Sequence, residues 1–160
     1  MTTVDLELRE GESLMSDADE LIYRQITAHM MDGSQIATTA FGPMPADNNM
    51  PSYSRSSVVE PQDARDWHTR NAPNPSLGVW AVAVAEVFEA ERHVIDDSAV
   101  ELNGSKKRAP GHCFVDYRGL SRVERKTLRS RLWFRAVERG EIPTKATLGD
   151  GELFAVAPSP

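Results

Sequence analysis

The run Gly111-His112-Cys113-Phe114-Val115-Asp116-Tyr117 sets a histidine against the only cysteine of the chain. An imidazole beside a thiol suggests a nucleophile and its base. The apolar pattern around the pair predicts a strand, however, and consecutive strand side chains leave on opposite faces. Cys113 is therefore expected to face the core with Val115 as a small hydrophobe. His112 would share the other face with Phe114 and Asp116 as a structural or surface histidine. The four histidines, at 29, 68, 93 and 112, have no paired ligand spacing, and one cysteine cannot make a Cys-x-x-Cys motif. No metal site is expected. The chain also lacks a Walker A motif, a G-x-G-x-x-G run and a G-x-S-x-G elbow, so nucleotide triphosphatase and hydrolase-elbow chemistry lose their usual sequence support.

A second kind of chemistry is carried by charge. The net charge is −6, yet residues 105–140 carry eleven bases against three acids, while residues 1–20 carry seven acids against one base. Such asymmetry suits a nucleic-acid surface, or two ends of one molecule that attract each other or a neighbouring copy. The basic candidates for partner binding are Arg122, Arg125, Lys126 and Arg129, with Lys106, Lys107 and Arg108 upstream.

These residues need elements to hold them. The segment 19–26 (DELIYRQI) predicts the first core strand. Residues 32–41 predict a turn at Asp32-Gly33 and a short strand ending at Phe41. Three prolines, two asparagines and a glycine between Gly42 and Pro51 bar any ladder or helix there. A strand is expected over 52–59 and a short helix after it, opened by Pro61. Residues 77–88 (LGVWAVAVAEVF) are apolar at both odd and even positions, which predicts a central strand covered on both faces. The segments RHVI and HCFVDY supply further strands, with residues 96–111 as an irregular excursion between them. Ser121 with Glu124 three residues on is a capping-box pattern, and Gly140 with Pro143 supplies the stop of a long helix. Its expected stripe is Leu120, Val123, Leu128, Leu132 and Ala136, widened by Trp133 and Val137. A last strand is expected in GELFAVAP.

At 160 residues, 40% apolar and 26% charged, the chain has the size and composition of one globular domain. The expected architecture is α+β: a single domain with a mostly antiparallel or mixed sheet and one long amphipathic helix packed on it. Residues 1–18 read as an acidic arm, in which TVDLEL could form an edge strand, residues 19–157 as the domain and 158–160 as a tail. No βαβ rhythm or fixed repeat is present. A lone cysteine, no signal-peptide pattern and no long apolar window lead to the expectation of a cytoplasmic protein without a membrane anchor.

Two resemblances add to this. Arg24 on an early strand and Ser52 or Tyr53 on a later one are similar to the pattern of mono-ADP-ribosyltransferases. That resemblance implies NAD as cofactor, with Glu86 or His112 as the third polar group, and requires Arg24, Ser52, Tyr53 and His112 to converge in one pocket. Tyr23-Arg24-Gln25, Ala40-Phe41 with Pro43, Pro45 and Asp47, Ser52 with Arg55, Gly78-Val79-Trp80 with Val82, and His112 together resemble a group of small uncharacterised bacterial and phage proteins. That resemblance spans roughly residues 20–117 and brings no activity. The function expected first is a non-enzymatic protein-binding or assembly component, self-associating or binding another protein through the basic helix and acidic arm. Trp80, Trp133 or Trp67 would serve as anchors and no cofactor would be needed. The alternatives are the NAD-using, toxin-like enzyme and a nucleic-acid accessory protein.

Overall fold

The structure, a computed structural model, describes residues 7–102, 104 and 108–148. The fold is α+β: a six-stranded antiparallel sheet with a long C-terminal helix packed on it. The expected strand in GELFAVAP, the TVDLEL segment apart from its last two residues, and Lys106 and Lys107 lie outside the described residues.

The chain begins with β1 (Ser13–Leu14) and β2 (Leu21–Ile26), followed by a small hairpin of β3 (Met31–Asp32) and β4 (Gln35–Ile36). Then come β5 (Ser52–Arg55), α1 (Pro61–Asn71), β6 (Gly78–Ala83), α2 (Val84–Glu89), β7 (Val94–Asp96), β8 (His112–Val115) and α3 (Arg122–Arg139). The main sheet runs β1-β7-β8-β5-β2-β6. The second half of the acidic arm is part of the fold, since Ser13 and Leu14 pair with Asp96 and Ile95 and Met15 is buried.

Three sequence expectations are corrected. The strand from 77 to 88 is shorter than its apolar run and breaks at Ala83, where α2 begins. Glu86 Oε1 accepts the Ala83 N–H at 2.6 Å and so caps that turn. This strand, β6, is also at the edge of the sheet, paired to β2 alone, with its free side covered at one point by the Val79 to Ile142 bridge. Residues 38–41 form a 3-10 turn in place of a strand, and a second such turn, Pro45–Asp47, lies in the proline loop. The strand expected over 52–59 ends at Arg55.

The sheet has two unequal sides. Ile22, Ile26, Tyr53, Val82, Cys113 and Val115 join Leu128, Leu132 and Ala136 of α3 in the larger core. Tyr23, Val79 and Ala81 pack with Ala64 of α1 in the smaller one. The α3 capping box is present as expected, with the Glu124 N–H donating to Ser121 Oγ and the Ser121 N–H to Glu124 Oε1, and Gly140 ends the helix at φ 89°. The expected stripe is narrower than its sequence pattern: Val123 is 74% exposed and Val137 44%, because the core lies only under the Leu128-Leu132-Ala136 row. No helix among the described residues is long and apolar enough to cross a membrane.

Candidate active site

Three neighbouring strands, β7, β8 and β5, bring chemistry to the α1 side of the sheet. Asp96 pairs with Cys113, so the next residue, Asp97, falls opposite His112. On the far side of β8, Ser54 pairs with His112 and Ser52 with Phe114, which makes Ser52 the diagonal neighbour of His112 on the same face. Side chains of the alternate set, Asp96, Cys113 and Tyr53, leave on the opposite face.

The outcome is a Ser52-His112-Asp97 relay. Ser52 Oγ lies 2.9 Å from His112 Nε2, and Asp97 Oδ1 lies 2.5 Å from His112 Nδ1. A carboxylate only accepts, so the proton of the neutral ring sits on Nδ1 and the lone pair of Nε2 faces the serine hydroxyl. Arg108 Nη1 donates to the other oxygen of Asp97 at 3.0 Å, and Arg108 Nη2 donates to the Val100 carbonyl at 3.2 Å. Asp97 is 5% exposed, whereas Ser52 is exposed. An accessible hydroxyl, a base in hydrogen-bond reach and a buried carboxylate orienting that base are what activation of a serine nucleophile requires.

Gly111 sets the entry into β8. Its φ is +65°, and a Cβ there would stand 2.9 Å from Cβ of Val58. Its carbonyl accepts the Arg55 N–H at 2.9 Å, which fastens the start of β8 to the end of β5 and fixes the histidine that follows.

Ser52 and His112 open onto a cavity of about 770 Å³ walled by α1, the proline loop and the segment 27–30. Its walls include Tyr23, Met30, Met44 and Trp67, with His68, Asn71 and Asn74 on the α1 side. Burial holds the His68 imidazole below its ordinary value, and its Nε2 is 3.0 Å from the Asn74 carbonyl.

Arg24, Ser52, Tyr53 and His112 all line this cavity, as expected, but only Ser52 and His112 bond to each other through their side chains. Arg24 leaves β2 on the α3 side, where its guanidinium stacks over the Tyr53 ring at 5.3 Å and donates to the carbonyls of Ala40 (2.7 Å), Ser52 (2.8 Å) and Gly42 (3.1 Å). It ties the proline loop to β5 as a scaffold. Tyr53 Oη donates to the Phe41 carbonyl at 3.0 Å, and burial pushes its phenol far above the ordinary value. Glu86 caps α2 and pairs with Arg139 at 2.9 Å. Cys113 is fully buried, and burial pushes its thiol well up, as expected of a core cysteine. The member that sequence reasoning missed is Asp97. Its signal was the Asp96-Asp97 doublet at a strand end, where successive carboxylates leave on opposite faces.

The described basic candidates are divided between the two faces of the sheet. Arg108 belongs to the cavity side, whereas α3 covers the other face of the sheet. Arg125 donates to the Leu120 carbonyl at 2.8 Å, and the methylenes of Arg129 lie against Gly42. Further along α3, Arg135 pairs with Glu89 at 3.1 Å and Arg139 with Glu86, so α2 supplies their partners. In the acidic arm Glu12 meets Arg9 and Arg118, and just beyond it Glu20 meets Arg55. Arg122 and Lys126 are exposed. Among the described residues no group of three or more carboxylate, histidine or cysteine side chains could hold a metal. No family model, curated protein or solved structure matches the chain.

Proposed function

We propose that the protein is an acyl-transfer enzyme of the serine-hydrolase type. The observation that carries this reading is the continuous Ser52-His112-Asp97 hydrogen-bond chain ending at an exposed hydroxyl in a cavity. Ser52 Oγ attacks a substrate carbonyl carbon while its proton passes to His112 Nε2, and the imidazolium so formed is stabilised by Asp97. The new Oγ–C bond stays, the bond to the leaving group breaks, and the leaving group departs with the proton from Nε2. Water then gives its proton to Nε2 and its hydroxyl to the acyl carbon, and Ser52 recovers its hydrogen as the carboxylic acid leaves.

The test is turnover of an activated acetate ester by the wild type and by Ser52→Ala and His112→Ala. Loss of about 10³-fold or more in kcat in both variants supports the reading. Undiminished turnover by Ser52→Ala contradicts it.

A second reading, protein docking through α3, is supported by the exposed Phe134 and Val137 flanked along the helix by Arg122 and Lys126. It predicts a size-exclusion mass that falls as salt rises. A monomer at every salt concentration argues against it. The NAD-using reading needs cationic or N–H donors for a pyrophosphate. Among the described cavity residues Arg24 is bonded to three protein carbonyls, and Arg108 to Asp97 and the Val100 carbonyl with only its buried Nε unpartnered.

A further inference from the structure

We infer that the cavity beside Ser52 takes the apolar, uncharged acyl chain of an ester substrate, with Trp67, Met30 and Met44 as the wall that reads its length. The inference rests on the acyl-transfer reading above and adds the substrate class to it.

The cavity offers little free charge. A phosphorylated, carboxylated or ammonium-bearing substrate needs an opposite charge that is still free to bind it. The charged side chains described in this cavity are largely engaged, although Arg108 Nε, and Nε2 of the neutral Gln25, are buried without a partner. Arg24 is spent on three carbonyls, and Arg108 on Asp97 and the Val100 carbonyl. Asp47 accepts the Met44 N–H at 2.7 Å. His68, held neutral by burial, adds no cation near neutral pH. The apolar side of the inventory is large: the Tyr23 and Trp67 rings, two methionines and prolines 45 and 73 line the same space. Trp67 and Met44 are half-buried and so retain surface that a ligand can cover.

The shape points the same way. Trp67, His68 and Asn71 project from one face of α1, at spacings that put them side by side on a helix, and Met44 comes from the proline loop. An aromatic plate on one element and flexible thioethers on others form a slot that adapts to a linear chain. A cavity of about 770 Å³ exceeds what an acetyl group fills, so a longer chain gains burial that a short one cannot.

The experiment is a series of p-nitrophenyl esters, acetate, butyrate, hexanoate and octanoate, with the hemisuccinate as the charged arm. Wild type, Ser52→Ala, Trp67→Ala and Met44→Ser are compared, the last reading the slot from its other side. The expected kcat/KM of the wild type rises by about fourfold per added methylene until the slot is full. The hemisuccinate falls below the butyrate. Trp67→Ala and Met44→Ser each lower the octanoate-to-acetate ratio by about fivefold or more. Ser52-dependent hydrolysis with a flat chain-length series, or with the hemisuccinate preferred, overturns this inference and leaves the nucleophile standing. Hydrolysis that does not depend on Ser52 overturns both.

Discussion

On the acyl-transfer reading, Asp97 is what makes His112 a base, because its carboxylate fixes which ring nitrogen carries the proton. Asp97→Asn keeps the shape but turns an acceptor into a group that can also donate, so the ring is no longer held in the tautomer Ser52 requires. The expected effect is a 10² to 10⁴-fold fall in kcat with little change in KM, read by steady-state kinetics, and with the far-UV circular dichroism of the wild type. A rise in KM with kcat unchanged would mean that Asp97 only shapes the cavity. The neighbouring Cys113 gives the opposite prediction. Its thiol is buried and pushed well up, so iodoacetamide should leave the native protein unmodified and alkylate it fully in guanidinium. At this scale the sequence was half legible. Ser52 and His112 stood out by residue type, and period-two alternation put Cys113 on the far face. Asp97 could not be named before the β7–β8 register was known, and Arg24 attracted a catalytic role because a strand arginine looks alike whether it meets a cofactor or three backbone carbonyls.

At the scale of elements, α3 and the start of β8 are held by local devices whose removal has separable costs. Ser121→Ala removes the acceptor for the Glu124 N–H and should cost about 1 kcal/mol in urea unfolding, with ester turnover retained. Gly111→Ala places a Cβ against Val58 in a left-handed backbone conformation and should both destabilise the fold by more than 1 kcal/mol and lower turnover, because His112 follows directly. Equal stability with lost turnover would show that the loop positions the base without supporting the core. The capping box, Pro61 and the strand cores were legible because they are set by neighbours in sequence. Edge placement of β6 was not, since an apolar run reads alike whether a strand or only Ile142 covers its flank.

Across the whole molecule, part-buried charge pairs link the strand ends to stability in acid. Arg55 bridges Glu20 at 2.7 Å and Asp96 at 2.7 Å across the β5–β7 side of the sheet. Burial pushes the Glu20 carboxyl up, but hydrogen bonds from Arg55 and Ser57 outweigh it and hold the group below its ordinary value. Asp96 is likewise pushed up by burial and held down by Ser98 and Arg55. Because both folded-state values are depressed, this stabilisation is fully present above the ordinary carboxylate range and is lost as pH falls through the folded values. Arg55→Met should therefore cost about 1 to 2 kcal/mol near neutral pH and move the acid-unfolding midpoint to higher pH, followed by circular dichroism. An unchanged midpoint would assign the acid transition to other groups. The division of charge along the chain was visible in the sequence. What it could not show is that Glu12 of the arm pairs with Arg9 and Arg118, whereas Arg135 and Arg139 of α3 pair with α2.

The central claim is that Ser52 is a nucleophile activated by His112. Exposure to a small alkyl fluorophosphonate followed by intact and peptide mass spectrometry tests it most directly. The account predicts one adduct per chain, located on Ser52 and absent from His112→Ala. An unmodified chain, or an adduct that persists when His112 is removed, would contradict it.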